Sequence, residues 1–229
     1  MNENKQTAVT VGVLFLTAMT ASLVGGGLVE SFMSAPDTFT AISKNETLLV
    51  VGVLLELVNA IAVIGIGVLL YLVLKRHNEA LATGYLSLRI VEAVFCSVIV
   101  ISPLSLIGLS KEYSSAGINT AHLQVARAVS IAERTSAVSL LIPVFFCLGA
   151  FLLYFLLYQS KLLPRFISVW GGIAAVLILT LNLLPIFSLE IGMGIGLIFA
   201  LPMILNEIYM GIWLIIKGFN LPARLSSPL

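Results

Sequence analysis

Charged side chains are scarce in this sequence of 229 residues: Lys, Arg, Asp and Glu make up 10% of it, and the formal net charge is +1. So few basic groups cannot form a patch for a nucleic-acid backbone, which excludes nucleic acid as a predicted partner. Hydrophobic residues make up 59% of the chain, and its mean hydropathy is +1.11. A soluble domain of this length could not bury so much apolar surface. We therefore predict an all-α, polytopic membrane protein whose main partner is the lipid bilayer.

Histidine and cysteine are equally rare, with two of each. His77 and His122 fall on opposite sides of the predicted membrane, which excludes a histidine-rich metal site and a haem held by two histidines. Cys96 and Cys147 lie in apolar runs, where a cysteine acts as a small hydrophobe rather than as part of a disulfide framework. These counts predict no cofactor.

Common catalytic motifs are missing too. The sequence has no His-Glu-x-x-His zinc motif and no Gly-x-Ser-x-Gly nucleophile elbow, so the catalytic residues, if there are any, are unknown. A metal site made only of glutamates is disfavoured by the arginines expected beside them, and we predict no bound metal. The Gly-rich run at 192–196 lacks the preceding strand and the lysine of a phosphate loop and indicates helix packing.

Six apolar stretches are long enough to cross a bilayer. We expect one transmembrane domain over residues 1–220 and a disordered tail over 221–229, which holds two prolines. The first apolar stretch is too long for a cleavable signal peptide. The six predicted helices cover about residues 8–29, 47–74, 80–102, 120–158, 166–185 and 192–217.

Polar stretches and prolines set the predicted boundaries. Residues 31–46 read as an external loop or surface helix, and residues 104–118 are polar enough to lie outside the membrane. Pro103 is expected to end the third helix, because proline cannot continue the backbone hydrogen bonds. Pro143 is expected to kink the long fourth helix.

The distribution of basic residues predicts the orientation. An even number of spans places both termini on one side, with the loops after the second and fourth helices. The opposite side has only Lys44 and Lys111 in its loops. The positive-inside rule then places both termini in the cytoplasm. The basic residues on that side are Lys5, Lys75, Arg76, Lys161, Arg165, Lys217 and Arg224.

Arg89 and Glu92 lie in the middle of the third apolar stretch. Their spacing of three places them on one face of a helix, one turn apart. A charge at this depth costs several kcal/mol, on the order of 3 on insertion scales, so it is seldom there without a role. The pair could hold the helices together or take part in a functional site, and the sequence leaves both readings open.

Other intramembrane polar residues lie on helix faces rich in small side chains, which are typical of helix–helix interfaces. We therefore expect a polar Glu/Arg cluster inside the bundle, open to the outer side. Four glutamates and three arginines, with Arg127 as the third, would leave one carboxylate without a partner. The predicted ligand-binding residues are Glu56, Asn59, Arg89, Glu92, Glu133, Arg134 and Glu207.

The segments that carry these residues resemble a bacterial membrane family, domain of unknown function 4386. The resemblance spans about residues 8–220. It implies a six-span protein of the bacterial plasma membrane and implies no activity. The segments are LLELVNA at 54–60, GYLSLRIVE at 84–92, AER at 132–134, LP at 201–202, NE at 206–207 and WLIIKGF at 213–219.

Three functions fit the sequence. The first is binding or transport of a small polar or amphiphilic molecule at the Glu/Arg cluster. The second is intramembrane catalysis on a lipid or isoprenoid, with a glutamate as general acid or base and arginines holding an anionic head group. The third is a structural or regulatory role in which the charges only hold the bundle together. We favour binding or transport over catalysis; the oligomeric state and the ligand are open.

Overall fold

The computed structural model describes residues 3–115, 120–189 and 192–220, and these residues form helices and short turns without a strand. A π-helical turn (Ala137–Leu141) joins α5 to α6, and a 3-10 turn (Leu184–Phe187) follows α7. The helices are α1 (Glu3–Met33), α2 (Thr38–Leu74), α3 (Glu79–Val98), α4 (Ile101–Ser115), α5 (Ala121–Ser136), α6 (Ile142–Ser160), α7 (Arg165–Leu183) and α8 (Met193–Ile216).

Six helical segments within the described residues are long and apolar enough to cross a membrane. They are α1, α2, α3 with α4, α5 with α6, α7, and α8. The prediction of an all-helical, six-span membrane protein is therefore confirmed. The predicted disordered tail, residues 221–229, lies outside the described residues.

The second half of the third span, α4, differs from the prediction. Helix α3 ends at Val98, before Pro103, and α4 begins at Ile101 and continues to Ser115. Pro103 lies in the first turn of α4, where its missing N–H has no helical partner to lose. Its effect is to permit a new helix rather than to end the old one. Residues 104–115, which were predicted to lie outside the membrane, are helical and belong to the third segment long and apolar enough to cross it.

The predicted external stretch at 31–46 is also mostly helical. Helix α1 continues to Met33, and α2 begins at Thr38 with a break at Asn45, where φ is −139° and ψ is 40°. The Asp37 carboxylate caps α2 by accepting a hydrogen bond from the Thr40 backbone N–H at 3.2 Å. Hydrogen bonds from Thr40 lower the pKa of Asp37.

The long fourth span passes Pro143 without ending. The π-helical turn lies directly before this proline, and the Ile142 N–H bonds to the Ala137 carbonyl five residues back. Because proline has no N–H and its ring crowds the preceding turn, a widened turn lets the helix continue there. The turn also lies next to Arg134, the last charged residue of α5.

The six spans form a closed ring in chain order. Each span packs against the one before and the one after it, and α8 closes the ring against α1. Glycines allow two of these contacts to be very close. A Cβ added to Gly12 would lie 2.5 Å from the Gly211 carbonyl oxygen of α8, and one added to Gly25 would lie 2.9 Å from the Gly52 carbonyl oxygen of α2.

Two apolar cores lie at opposite ends of the helix bundle. The one near the chain termini, here called the terminal core, draws residues from all six spans. The terminal core comprises Ala8, Val11, Phe15, Ala18, Ala62, Ile66, Leu70, Val73, Leu74, Ala82, Tyr85, Ala150, Leu153, Tyr154, Leu156, Leu157, Leu162, Leu163, Ile167, Ala174, Ala175, Met203, Met210 and Leu214.

The second core, here called the cap, lies at the end remote from the termini. Among the described residues, α7 and α8 contribute nothing to it. The space between the two cores is where the charged residues of the spans meet. The cap comprises Val29, Phe32, Met33, Phe39, Ile42, Leu49, Val53, Ile99, Val100, Leu106, Ile107 and Leu123.

Candidate functional site

Four charged side chains are buried between the terminal core and the cap. Glu56, Arg89, Glu92 and Arg134 are each at most 5% exposed. An unpaired charge at such a position would be very unfavourable, so each must find a counter-charge or hydrogen bonds. The model pairs them in two different ways.

Glu56 and Arg134 form an ion pair between two spans. The Arg134 guanidinium donates through both terminal nitrogens to the two carboxylate oxygens of Glu56, and Nη1 also donates to the Ile99 carbonyl at 3.0 Å. Two parallel hydrogen bonds fix the orientation of both groups as well as their distance. This pair ties the middle of α2 to α5 and to the break between α3 and α4.

Arg89 and Glu92 form the pair that their spacing predicts, on one face of α3. Arg89 Nη1 donates to Glu92 Oε2 at 2.9 Å. The buried Nε of Arg89 has no hydrogen-bond partner within the described residues. A guanidinium carries five N–H groups, so this arginine has donors to spare. The guanidinium carbon of Arg89, Cζ, lies 6.0 Å from the centre of the Phe146 ring.

Glu207 on α8 is partly buried and lines the same interior. Within the described part of the chain, its carboxylate makes no hydrogen bond or ion pair, although it lies in electrostatic range of Arg89. The preceding residue behaves differently. Asn206 is fully buried, accepts from the Tyr154 hydroxyl at 2.7 Å and donates to the Ile167 carbonyl at 3.0 Å.

These charges border a cavity of about 680 Å³. Asn59 also lines it, and its side-chain nitrogen lies 3.8 Å from the Cys96 sulfur. Most of the remaining wall is apolar and comes from all six spans. The lining residues are Phe15, Ala18, Met19, Ser22, Leu23, Gly26, Gly27, Glu30, Glu56, Asn59, Val63, Ile66, Arg89, Glu92, Cys96, Ile99, Arg134, Val138, Ile142, Pro143, Phe146, Ile178, Ile204 and Glu207.

The cavity opens in the half of the bundle remote from the termini. Its exposed lining residues, Ser22, Leu23, Gly27 and Glu30, lie on the second half of α1, and Val138 lies on the π-helical turn. The facing parts of α7 and α8 are loosely packed. No residue of α7 after Ala175 and none at 194–202 of α8 is buried. An opening between helices at this level would lead towards the bilayer as well as towards solvent.

The model brings together Glu56, Asn59, Arg89, Glu92, Arg134 and Glu207 from the predicted site. Glu133 lies apart: its side chain is exposed and does not line the cavity. Adjacent residues on a helix point about 100° apart, so Arg134 turns inwards while Glu133 turns outwards. Arg127 is also outside the cavity, where its Nε donates to the Thr38 hydroxyl at 2.8 Å.

A family comparison adds to this geometry. The family model described as domain of unknown function (DUF4386) matches residues 10–218. The chain belongs to this family. No curated protein and no solved structure matches it. The DUF4386 match covers all the residues that meet at the cavity and confirms the resemblance seen in the sequence.

In this DUF4386 protein, α1 borders the site, which the sequence analysis did not predict. No α1 residue was among the predicted site residues, yet Gly26, Gly27 and Glu30 line the cavity. A Cβ added to Gly26 would lie 3.9 Å from Glu56 Oε1. The run Gly25-Gly26-Gly27 was the available signal, because small residues mark places where helix backbones approach a neighbour closely.

The donor set does not suggest a metal centre. Within the described residues, no three His, Cys, Asp or Glu side chains come together as metal ligands. Glu56, Glu92 and Glu207 line the same cavity as the guanidiniums of Arg89 and Arg134. Two of these glutamates, Glu56 and Glu92, form ion pairs with the guanidiniums. Among the described residues, the carboxylate of Glu207 has no bonded partner, and the Nε–H groups of Arg89 and Arg134 are unused. Such groups suit hydrogen bonding and charge pairing with an organic molecule.

Proposed function

We propose that this protein binds or transports a small amphiphilic molecule, with the polar group held between Glu207 and Arg89 and the apolar part lying along the cavity wall. One observation carries the proposal. Among the described residues, the cavity contains a carboxylate with no bonded partner and an arginine, Arg89, with an unused Nε–H, whereas both oxygens of the neighbouring Glu56 accept hydrogen bonds from Arg134. Unused polar groups at this depth are expensive, and a ligand that meets them would offset that expense.

The size and lining of the cavity support a ligand of modest size. Small-molecule sites typically occupy about 300–1,000 Å³ and combine apolar walls with a few placed polar groups. The volume of about 680 Å³ falls in that range, and Phe15, Val63 and Ile66 provide apolar walls beside the charges. A site with these properties suits an amphiphile better than a fully polar solute.

The basic residues support a plasma-membrane protein with both termini in the cytoplasm. The loops between α2 and α3 and between α6 and α7, together with the end of α8, hold Lys75, Arg76, Lys161, Arg165 and Lys217. By the positive-inside rule this side faces the cytoplasm, so the cavity would open towards the outer leaflet and the exterior.

The proposal is tested by native mass spectrometry of the protein purified from its membrane in a neutral detergent. We expect an additional mass of one small molecule per chain. Ala18→Leu, which adds a side chain at the cavity wall, should remove that mass. The matched control is Ala132→Leu, because Ala132 is exposed and lies outside the cavity.

Loss of the bound mass in Ala18→Leu and its retention in Ala132→Leu would support a ligand site in the cavity. A wild-type protein without any bound molecule, or a bound mass that survives Ala18→Leu in a variant that elutes as a folded protein, would contradict it. The extracted molecule also distinguishes a carrier from an enzyme, because a substrate and product pair would appear together if turnover takes place.

A further inference from the structure

The charges around the cavity do not balance. Among the described residues, its lining includes the carboxylates of Glu30, Glu56, Glu92 and Glu207 but the guanidiniums of only Arg89 and Arg134. From this imbalance we infer that the ligand is a lipophilic cation, such as an apolar amine or quaternary ammonium compound, whose positive group pairs with Glu207. This inference rests on the proposed function and names the ligand class of the same site.

Both arginines are already committed to other carboxylates. Arg134 donates to both oxygens of Glu56, and Arg89 donates to Glu92 at 2.9 Å. Each of these pairs is close to neutral, so neither leaves a positive charge for an anionic ligand. Glu207 remains as the interior carboxylate without a bonded partner in the described residues.

A cation would gain more from Glu207 here than it would at a surface. Charge interactions strengthen as the surrounding dielectric constant falls, and this carboxylate lies between apolar walls deep in the bundle. Phe15 also lines the cavity and presents an aromatic ring, the side-chain type that attracts cations across its face. The spare N–H groups of Arg89 could bind a hydroxyl or carbonyl oxygen elsewhere on the same ligand.

The mouth of the cavity also carries a negatively charged side chain. Glu30 is exposed at the opening, one turn beyond the exposed Gly27. No basic side chain lines the opening within the described residues. A cation is therefore attracted both at the entrance and at the interior carboxylate, whereas an anion meets negative charge at each.

Two probes of nearly the same size and shape and of opposite charge test this inference. Purified protein in a neutral detergent is dialysed to equilibrium against tetraphenylphosphonium or tetraphenylborate, and saturable binding is measured above a protein-free micelle blank. We expect saturable binding of tetraphenylphosphonium and no saturable binding of tetraphenylborate, each measured alone. Glu207→Gln should weaken it by about tenfold or more, because the carboxylate charge is lost while the side-chain size is kept.

Two further variants keep the test decisive. Glu207→Asp retains the charge and should retain cation binding, and Glu133→Gln removes the charge of an exposed glutamate outside the cavity and should have no effect. If Glu207→Gln binds the cation as tightly as the wild type, or if tetraphenylborate alone binds saturably with similar affinity, the inference is wrong.

These outcomes separate the charge of the ligand from the existence of a site. A bound native ligand that is anionic or neutral, together with absent cation binding, would overturn the inference and leave the proposed function intact. A protein that purifies without a ligand and binds neither probe would overturn both.

Discussion

The buried hydrogen-bond networks in the two halves of the bundle differ in charge. In the terminal core, the Tyr154 hydroxyl, the Asn206 amide and the Ile167 carbonyl form a neutral hydrogen-bonded chain. In the layer between the terminal core and the cap, Arg89 and Glu207 are ionisable groups whose hydrogen-bonding capacity is not fully used within the described residues. All six spans seal the first region, whereas the second adjoins a cavity of about 680 Å³.

This difference separates neutral groups that join helices from ionisable groups that border a cavity. A satisfied neutral network joins helices at little cost, and interhelical hydrogen bonds of this kind contribute about 0.6–2 kcal/mol each in membranes. Charges with spare capacity do not stabilise the bundle in this way. The ionisable groups beside the cavity are those assigned to the proposed ligand site, whereas the pair of Glu56 and Arg134 is assigned a structural role.

Breaking the ion pair of Glu56 and Arg134 should have the largest effect on stability. Arg134→Met leaves Glu56 buried without a counter-charge and should lower the free energy of unfolding by about 3–5 kcal/mol. The measurement is denaturant-induced unfolding in mixed micelles. The double variant Glu56→Met with Arg134→Met removes both charges, so it should recover most of the loss. A double variant no more stable than Arg134→Met would contradict the structural role of this pair.

The sealed region should respond to a single methyl group. In Gly171→Ala, the added Cβ would lie 2.1 Å from Cζ of Tyr154, so the ring must move and its hydrogen bond to Asn206 is disturbed. We expect a loss of about 1–3 kcal/mol in the free energy of unfolding. The matched control is Gly172→Ala, because no atom lies within 4 Å of its added Cβ. Equal stability of the two variants would show that the region is less tightly packed than described.

The helix cap at the remote end should contribute less. Asp37→Ala removes the carboxylate that accepts from the Thr40 N–H and should cost about 1 kcal/mol at neutral pH. Because the pKa of Asp37 is lowered in the folded state, its contribution is present above the ordinary aspartate pKa and is lost as the pH falls through the folded value. If the difference in the free energy of unfolding between the wild type and Asp37→Ala stayed constant into the acid range, that result would argue against the N-terminal capping of α2 by Asp37.

Glu207 should have the smallest effect on stability. Its carboxylate has no bonded partner in the described residues and its burial is unfavourable, so Glu207→Gln should not lower the free energy of unfolding of the ligand-free protein. Unfolding measured after the bound molecule is removed checks this. A loss comparable to that of Arg134→Met would assign Glu207 to the structural framework instead.

Much of this architecture was predictable from the sequence. The spacing of Arg89 and Glu92 predicted their pairing because both lie on one helix, where three residues correspond to one turn. The six spans followed from the length of the apolar runs. The helical structure of α4 could not be predicted in this way. Its polar residues and Pro103 are also typical of a loop, and the sequence does not show that this segment packs against α2 and α5.

The pairing of Glu56 with Arg134 was not predictable in the same way. Helical periodicity shows which face a residue occupies but not which of the other helices it meets, and these two residues are 78 apart. Glu133 and Arg134 were both predicted as site residues because the sequence does not fix how far the helix has turned at that point. The π-helical turn that follows them adds a further rotation that no motif reveals.

The most direct test of the ligand site compares the wild type with Glu207→Gln in one native mass spectrometry experiment, with unfolding measured on the same samples after ligand removal. We predict one small molecule bound per wild-type chain, little or none bound to Glu207→Gln, and an unfolding free energy of ligand-free Glu207→Gln no lower than that of the ligand-free wild type. A Glu207→Gln protein that carries the same molecule at full occupancy would show that the unpaired carboxylate is not part of a ligand site.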